Sequence, residues 1–575
     1  MELIEIIKHN RSFKQRTSLK PIKFGILANV TLQLIKPILE YYFSLKNINA
    51  VVYNLGFNNF IEESKDSNYD FYFIFWETIN LTENIKGDYF NYSLSQKQEL
   101  FNKIKTEIKL TLRNLSNVKA IIFNTFSEYS FTIDPIHKDD NFNIARQLND
   151  FLYKQKKLNV TTYNFDALIL KCGIENSFDY SQYYLSSSLY KSKLIEEYVK
   201  SIIPFILNKL GAQKKMIVLD ADNTLWKGII GEDGIKGINC NVDNIKGKIY
   251  NEAQLLFKYL KNKGVLLALC SKNNIDEIRN VFKNKDEMIL KSDDFVNKKV
   301  NWYPKNENIR KIAKEVNIGL DSIVFIDDSD FEIELVKKTL PEVVTIKVPN
   351  NISEYPSRIK ELFILFNIST ITNEDTKKTQ LYLEENKRRN ASEKFDSIDN
   401  YINSLGLKLA VSKNDKIPLE RCVQLTQKTN QFNFTTKRYT ELQIKNIIKS
   451  INWEIYSMKL SDKFGNYGTT GLIIIKTENK KAIIKNFLMS CRVLGRKVEE
   501  KLFQFLIEDL KSKGINHIYA DYKQSNKNQQ VSDFYNKMGM NHIKNESNPE
   551  IKKYELPIEK FSFKNNLKIK IYESD

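Results

Sequence analysis

Met216-Ile-Val-Leu-Asp220-Ala-Asp222-Asn-Thr224 decides the reading of the chain's centre. Four apolar residues between Lys215 and a polar turn read as a short buried strand. Two carboxylates then follow at i and i+2. Beyond a strand end such a pair can share a divalent cation together with the second residue's carbonyl, leaving one carboxylate to attack phosphorus and the other to shuttle a proton. Outward from this stretch the pattern repeats. Val265–Leu269 runs into Cys270-Ser271-Lys-Asn-Asn, Ile323–Ile326 runs into Asp327-Asp328-Ser-Asp, and Val343–Val348 closes the series. Between the first two strands, Asn251–Lys263 has helical spacing with an apolar face of Leu255, Leu256, Tyr259 and Leu260. Strands alternating with helices predict a parallel α/β sheet, and such sheets place their sites at the carboxyl ends of the strands.

The residues at those ends divide the chemistry of phosphoryl transfer among themselves. Of Asp220 and Asp222, one is the candidate nucleophile and the other the acid/base. Ser271 is suited to hydrogen-bond phosphoryl oxygens, and Lys305, in Asn-Trp-Tyr-Pro-Lys-Asn-Glu-Asn, to neutralise the nucleophile and the transferring group. Asp220, Asp222, Asp327 and Asp328 are the candidate ligands for Mg2+, a hard ion that prefers oxygen. Cys270 is read two ways: as an acyl carrier at the strand end, or as a small apolar side chain filling the sheet, since Cys270 and Ser271 point to opposite faces. The segment after Thr224, including a Gly-rich hairpin at Lys227–Gly237, leaves no room for a lid domain. Ser271 to Lys305 is likewise too short for an inserted cap, so the site is expected to be open.

Composition narrows the chemistry. The 575 residues predict three or four domains at roughly 100 to 200 residues each. The 88 Lys and Arg exceed the 70 Asp and Glu by 18, but only 13 are Arg, and Lys is dispersed without long like-charge blocks. Nucleic-acid binding is therefore not expected, because Arg supplies the planar fork that reads phosphates and bases. Four His (His9, His137, His517, His542) form no local ligand pair, which leaves carboxylates, Lys, Ser and Cys as catalysts. Five scattered Cys form neither a disulfide framework nor a metal knuckle. The longest apolar runs, Phe71–Trp76 and Val265–Cys270, are far below the ~20 residues of a membrane helix, and the basic, polar first twenty residues lack an apolar leader core. The expectation is a soluble cytoplasmic protein with no membrane association.

The order carboxylate pair, Ser, Lys, carboxylate pair resembles the haloacid dehalogenase (HAD) superfamily of phosphatases and phosphotransferases over residues 214–350. More finely, LDADNTLWKGIIGEDG, GVLLALCSKNN, NWYPKNENI and FIDDSDFE are similar to the FkbH-like branch, including Trp226 and Gly228, with DDSD where the branch commonly has DDNP. That resemblance implies handling of a phosphoglyceryl unit. The acyl group of 1,3-bisphosphoglycerate is taken up as a thioester, its phosphate is removed, and glyceryl passes to an acyl carrier protein in polyketide-like or surface-polysaccharide biosynthesis. The alternatives are a phosphatase acting on a free phosphorylated metabolite and a carrier-docking scaffold with vestigial chemistry.

Two further units flank this one. Strands at Ile22–Leu27, Ala50–Leu55, Phe71–Trp76 and Ala120–Phe123 alternate with helical spacing and resemble an SGNH-hydrolase-like domain. Ala28-Asn29 stands where that family's Ser nucleophile would be, and no His follows His137 in the unit, so a non-catalytic module is expected. Near the C-terminus Cys491-Arg492-Val-Leu-Gly495-Arg496-Lys497 opens a helix at Val498–Lys513, a Gly-containing turn that can present amides and cations to an anion. This unit, with strands at Glu454–Leu460, Thr470–Ile475 and Ala482–Ser490, resembles the GNAT acyltransferase fold. The resemblance implies coenzyme A or phosphopantetheine at Arg492, Gly495, Arg496 and Lys497, and an acid at Tyr535. Lys497 departs from the family's usual Gly or Ala. Thr429–Thr440 (TNQFNFTTKRYT) is again similar to the FkbH-like branch. The expected domains are 1–207 SGNH-like, 208–352 HAD-like, 353–403 a helical linker including Asn373–Asn390, and 404–575 GNAT-like. The partners are an acyl carrier protein, typically acidic and so complementary to the Lys excess, and a small phosphorylated substrate.

Overall fold

The computed structural model describes residues 3–66, 68–81, 89, 91–129, 143–155, 159–366, 378–392, 395–525, 527–543, 551–562 and 567–573. His137 and residues 373–377 of the expected linker helix lie outside them. The chain forms two compact units, Met1–Lys209 and Leu210–Asp575. The fold class is α/β, with two parallel sheets and one mixed sheet.

In the first unit β1 (Ile22–Ala28), β2 (Ala50–Asn54), β3 (Phe71–Phe75), β4 (Ala120–Asn124) and β5 (Val160–Tyr163) form a parallel sheet of order β2-β1-β3-β4-β5. Every residue of β3 is buried, and Phe24 stacks on Phe43, Phe71 and Phe73 with ring centroids 5.2 to 5.8 Å apart. Among the elements that were not legible are the helix Leu3–Arg16 and β5, whose Val-Thr-Thr-Tyr is half-buried throughout and lacks an apolar run. Asn29, at the end of β1, is fully buried and spent on the backbone. Its Nδ2 donates to Glu77 O (2.9 Å) and its Oδ1 accepts from Glu77 N (2.6 Å), clamping β1 to the segment after β3.

The second unit begins with β6 (Met216–Leu219), β7 (Leu266–Ser271), β8 (Phe295–Val300), β9 (Ile323–Asp327) and β10 (Val344–Lys347), parallel in the order β10-β9-β6-β7-β8. β6 takes β7 on one side and β9 on the other, so the strand order reverses at β6. At such a switch point the connections leave toward opposite faces, and a crevice opens beyond the strand end. β8 was missed, because Lys298 and Lys299 disguise a sheet-edge strand. The face expected for the helix after β6 is corrected. Leu255 and Tyr259 are exposed, whereas Tyr250, Ala253, Gln254, Phe257 and Leu260 are buried. Gln254 sets that rotation: its Nε2 donates to Leu225 O (2.7 Å), and its Oε1 accepts from the amides of Ile289 and Leu290. Lys227–Gly237, expected as a hairpin, is the short helix Ile230–Gly237, bracketed by an antiparallel bridge between Lys227 and Asn239.

The mixed sheet comprises β11 (Lys408–Lys413), β12 (Phe432–Asn433), β13 (Trp453–Asp462), β14 (Gly465–Glu478), β15 (Lys481–Met489), β16 (His517–Lys523), β17 (Asn541–Ile543), β18 (Ile551–Pro557) and β19 (Lys570–Glu573). Its path is β17-β18-β16-β15-β14-β13-β11-β19, with β12 on β15. β15 and β16 are parallel and joined through the helix Val498–Ser512. They pair only as far as Ile484 and Ala520, then part. Phe434, just past β12, fills the gap: its amide donates to Phe487 O (3.0 Å) and its carbonyl accepts from Lys523 N (2.8 Å). The helix Lys378–Ser392 is fastened to this sheet by Arg388. Its Nε and Nη2 donate to Asp462 at 2.8 and 2.9 Å, and its guanidinium lies 4.0 Å from the Tyr467 ring centroid.

Two of the buried charged groups yield tests. The Arg388 and Asp462 side chains are 1% and 0% exposed, and removing one partner of a buried pair strands the other, at about 3–5 kcal/mol. Arg388→Ala is expected to lower the unfolding free energy of the second unit's transition, read from denaturant melts, by that much; an unchanged midpoint contradicts the assignment. Glu77 is 2% exposed, accepts the Tyr190 hydroxyl, and has an unpartnered Oε2. Burial pushes its carboxyl up to about 7, opposed by the Tyr190 hydrogen bond and assisted by Asp166. A raised folded-state value means that the folded chain binds the extra proton, so this group's contribution to stability falls as pH rises from the unfolded value, near 4.5, to about 7. Glu77→Gln is therefore expected to raise the calorimetric midpoint relative to the parent at pH 8, with the difference shrinking at pH 5.

Candidate active site

Asp220 lies directly beyond β6 at the switch point, its amide donating to Ile326 O of β9 (3.1 Å). The next residues turn tightly: Asn223 adopts φ +49°, and Leu225 N returns to Ala221 O at 2.8 Å. Asn223 Oδ1 accepts from Gly228 N (3.1 Å), and Gly228 has φ +109°. A Cβ there would come within 2.8 Å of Asp233 Oδ2, which is why a glycine ends the loop. The loop is also held from beneath. Gln254 binds Leu225 O, and the buried Tyr355 hydroxyl donates to Thr224 O (3.2 Å).

Around Asp220 the structure gathers the residues named from the strand ends. Lys305, 4% exposed, opens the helix Lys305–Val316, and its Nζ lies 2.9 Å from Asp220 Oδ1 and 2.6 Å from Asp327 Oδ2. Asp327 Oδ1 accepts from Ser329 N (3.0 Å), which fixes the carboxylate at the start of the helix Asp330–Thr339. Asp220, Asp327 and Asp328 each bring one carboxylate oxygen within 4.8 Å of the others. Burial, followed by the charge of Asp220, pushes both the Asp327 and Asp328 carboxyls up. Burial disfavours the Lys305 charge, but the Asp220 and Asp327 carboxylates outweigh it and hold the ammonium above its ordinary value. Three carboxylates against one ammonium leave a net charge of −2 in a largely buried space. Hard oxygen donors converging with unbalanced negative charge fit a divalent cation such as Mg2+.

Asp222 is placed differently from its expectation as a metal ligand. Its carboxylate is outside the three-carboxylate group and points into a cradle of donors. Oδ1 accepts from Trp226 Nε1 (2.9 Å) and Ile230 N (3.0 Å), and Oδ2 from Asn273 Nδ2 (2.9 Å). Burial pushes its carboxyl up against those hydrogen bonds, which favours a side chain that can carry a proton. Ser271, at the end of β7, is 2% exposed and accepts from the same Asn273 Nδ2 (3.0 Å). Asn273, Gln254 and Tyr355 went unassigned from sequence. Asn273 stands two residues beyond Ser271 in the strand-end motif, while Gln254 and Tyr355 carry no local signal.

Cys270 is fully buried on the other face of β7, in the apolar layer with Met216, Val218 and Phe325. Its Sγ meets Lys305 O at 3.9 Å, and burial pushes the thiol well above its ordinary range. Of its two readings this geometry is that of the sheet filler, since a neutral, enclosed thiol is not a nucleophile. Asp330, the last acid of DDSD, points away and pairs with Lys347.

The C-terminal expectations meet a closed structure. Arg496 is 6% exposed, donates from Nη2 to both oxygens of Glu385 (2.5 and 2.6 Å), and from Nη1 to Arg492 O (2.8 Å). Lys497 pairs with Asp399 and takes φ +54°, and Gly495 takes φ +79°. Arg492 Nε donates to Ser490 Oγ at 3.3 Å. The turn at 492–497 therefore uses its most buried cation to bind the helix Lys378–Ser392. Tyr535, expected as an acid, is 1% exposed with its ring centroid 4.5 Å from that of Phe434, and its hydroxyl has no partner. Burial holds it far above the ordinary phenol range, so it has neither access nor the acidity for that role.

No protein-family profile and no curated protein sequence matches the chain. Among solved structures, the chain is similar to the N-terminal part of the Bacteroides fragilis protein BF1531, which contains a phosphatase domain and was crystallised with Mg. Identity is 26% and the TM-score 0.57, over 64% of this chain and 100% of that one. The Escherichia coli ribosomal-protein-S18-alanine N-acetyltransferase matches 28% of this chain and 98% of its own, at 14% identity and a TM-score of 0.22. An IAA acetyltransferase from Bacillus cereus matches 26% and 99%, at 15% identity and a TM-score of 0.19. At those scores the acetyltransferase likenesses do not bear on what the C-terminal part does.

The carboxylate group makes a direct prediction. Asp328→Asn removes one charge from the carboxylate group, so the Mg2+ dissociation constant measured by calorimetric titration is expected to rise at least ~10-fold. Asp330→Asn is expected to leave it unchanged; equal effects of the two contradict the assignment.

Proposed function

We propose that the second unit is a Mg2+-dependent phosphatase or phosphotransferase of HAD type. The observation that carries this reading is the buried group of Asp220, Lys305, Asp327 and Asp328 at the switch point of a parallel sheet. Asp220, Asp327 and Asp328 would hold the cation, which when bound offsets the charge of the phosphoryl oxygens and of the carboxylates. An Asp220 oxygen attacks phosphorus and the bond to the leaving oxygen breaks. Asp222, held in its protonatable position by Trp226, Ile230 and Asn273, gives that oxygen a proton. Water then attacks the aspartyl phosphate, returning its proton to Asp222 and releasing inorganic phosphate. Lys305 balances Asp220 before attack and the phosphoryl group after it, and the Ser271 hydroxyl is placed to donate to a phosphoryl oxygen.

Within that class we read the substrate as a phosphoglyceryl unit destined for an acyl carrier protein, as the similarity to the FkbH-like branch implies. Because the Cys270 thiol is enclosed, the thioester in this reading sits on the carrier's phosphopantetheine thiol. The absence of an inserted cap between Ser271 and Lys305 supports access for a tethered substrate. The same enclosure of Cys270 also favours a second reading, a phosphatase for a free phosphorylated metabolite, which needs no thiol. The site is too fully furnished for a vestigial docking scaffold. A cytoplasmic location belongs to this proposal; among the described residues no helix is long and apolar enough to cross a membrane.

Incubation with 1,3-bisphosphoglycerate, Mg2+ and a holo carrier protein is expected to yield a glyceryl adduct on the carrier by intact-mass spectrometry. Phosphate release without an adduct establishes the second reading. Asp220→Asn is expected to lower phosphate release at least ~10³-fold. Full activity in that variant refutes both readings.

A further inference from the structure

The mouth of the carboxylate site carries the second unit's most exposed aromatic side chains. Of the chain's four Trp, Trp76 and Trp226 are buried and Trp453 is half-buried, whereas Trp302 is 74% exposed. Among the described Trp, Tyr and Phe of that unit, Phe331 at 69% and Tyr303 at 62% come next. Trp302 and Tyr303 lie three and two residues before Lys305, and Phe331 lies three after Asp328. Apolar side chains exposed singly are ordinary, but their concentration at one place marks a surface that something covers. The positions are also fixed. Asn301 N donates to Ser271 O (3.1 Å), and Asn301 Oδ1 accepts from Tyr303 N (3.1 Å) and Asn308 Nδ2 (2.8 Å). These bonds pin the loop bearing Trp302 to the end of β7 and to the helix Lys305–Val316. The Lys311 ammonium lies 4.9 Å from the Tyr303 ring centroid. Lys272, next to Ser271, places its Nζ 2.6 Å from Glu332 Oε1 and 6.0 Å from the Phe331 ring centroid, so Phe331 faces the end of β7.

The strand order sets these rings around the site. β8, β7, β6 and β9 are neighbours in that order. Trp302 and Tyr303 follow the first and Phe331 the last, while Ser271 and Asp220 stand at the ends of the two between. At the usual strand spacing the ends of β9 and β8 lie about 5 Å and about 10 Å from that of β6. Between Ser271 and Lys305 the chain forms one helix, one short turn and β8, with no capping domain, so a bound ester meets the rings directly beyond its phosphoryl group. We propose that Trp302, Tyr303 and Phe331 are specificity residues: they pack on the body of the leaving group and select phosphate monoesters whose body is apolar or planar and reaches the rim. A one- or two-carbon body stays within the carboxylate pocket and gains nothing from them. A six-carbon chain or a ring system reaches them, and the contact removes apolar surface from water on both partners. That contact is the same before and during phosphoryl transfer, so it acts on KM and not on kcat. The selection rests on the phosphoryl-transfer chemistry proposed for Asp220 and defines the class of leaving group which that chemistry serves.

The test assays the full-length native protein with Mg2+ on ethyl and hexyl phosphate, whose alcohols have nearly the same basicity, so that the chemical step is matched. The kcat/KM for hexyl phosphate is expected to exceed that for ethyl phosphate at least ~10-fold, through KM. Trp302→Ala and Phe331→Ala are each expected to reduce that ratio several-fold and together to bring it near one, with the parent's melting profile retained. Trp302→Phe is expected to keep most of it. A second measurement needs no turnover. Because Trp302 is the exposed Trp, hexylphosphonate, which is not hydrolysed, is expected to shield the native protein's fluorescence from acrylamide quenching in Mg2+, and ethylphosphonate is not. A ratio near one in the native protein, or an undiminished ratio in the folded double variant, overturns the specificity role. If neither ester is hydrolysed, the phosphoryl-transfer reading fails; absence of shielding by hexylphosphonate then overturns the rim as well, and shielding upholds it as a binding surface.

Discussion

Lys305 carries a charge where water has little access, and this constraint organises the middle of the chain. An ammonium in a low-dielectric interior is tolerated only beside opposite charge, and the two carboxylates it touches, Asp220 and Asp327, are themselves buried. The three side chains must be brought together by elements distant in sequence: the end of one strand, the start of a helix after another, and the end of a third. A parallel sheet with its order reversed at β6 does this directly, because β6 and β9 are neighbours and end side by side. Much else in the region keeps that arrangement fixed. The left-handed Asn223, the glycine at 228, the Gln254 bridge and the Tyr355 hydroxyl hold one loop, while Ser329 holds the other. Asp328 takes the net charge from −1 to −2, which is stable only with a cation present or a proton taken up.

What the sequence disclosed and what it hid follow from the range of the forces involved. Asp220, Ser271, Lys305, Asp327 and Asp328 were legible because each directly follows, or closely flanks, an apolar strand, and strand ends in an α/β sheet converge. β8 was hidden because an edge strand has one solvated side, so Lys298 and Lys299 are admissible there. The rotation of the helix around Gln254 was hidden because one buried polar side chain, satisfied by three backbone groups, outweighed the apolar count of Leu255 and Tyr259. The Asp222 carboxylate stands apart from the other three for a similar reason: Trp226 Nε1, Ile230 N and Asn273 Nδ2 claim it, and none of these is visible in an i, i+2 spacing.

In the C-terminal part, partners distant in sequence engage the residues singled out from their neighbours. A Gly-containing turn with two Arg and a Lys looks like an anion site when only neighbours in sequence are considered. Arg496 instead meets Glu385, more than a hundred residues earlier, and Arg388 from the same helix meets Asp462. Arg is scarce in this chain, and here its fork serves bidentate structural pairs in which Lys would satisfy fewer acceptors. Phe434 acts in the same direction. By hydrogen-bonding both β15 and β16 where they separate, it turns an opening between strands into core, and the aromatic cluster around it encloses Tyr535.

The overall +18 conceals a polarity along the strands themselves. Lys215 precedes β6 and Asp220 follows it; Asp321 and Ser322 precede β9, and Asp327 ends it. A strand of four or five residues at about 3.3 Å each separates the two ends by roughly 15 Å, beyond the ~8 Å screening length of physiological salt. The carboxylate end therefore repels a phosphate ester until a cation is bound, and the charges at the other end are largely screened from it. Both are fixed by the same hydrogen-bonded strands, so neither can be displaced without disturbing the sheet that positions the other.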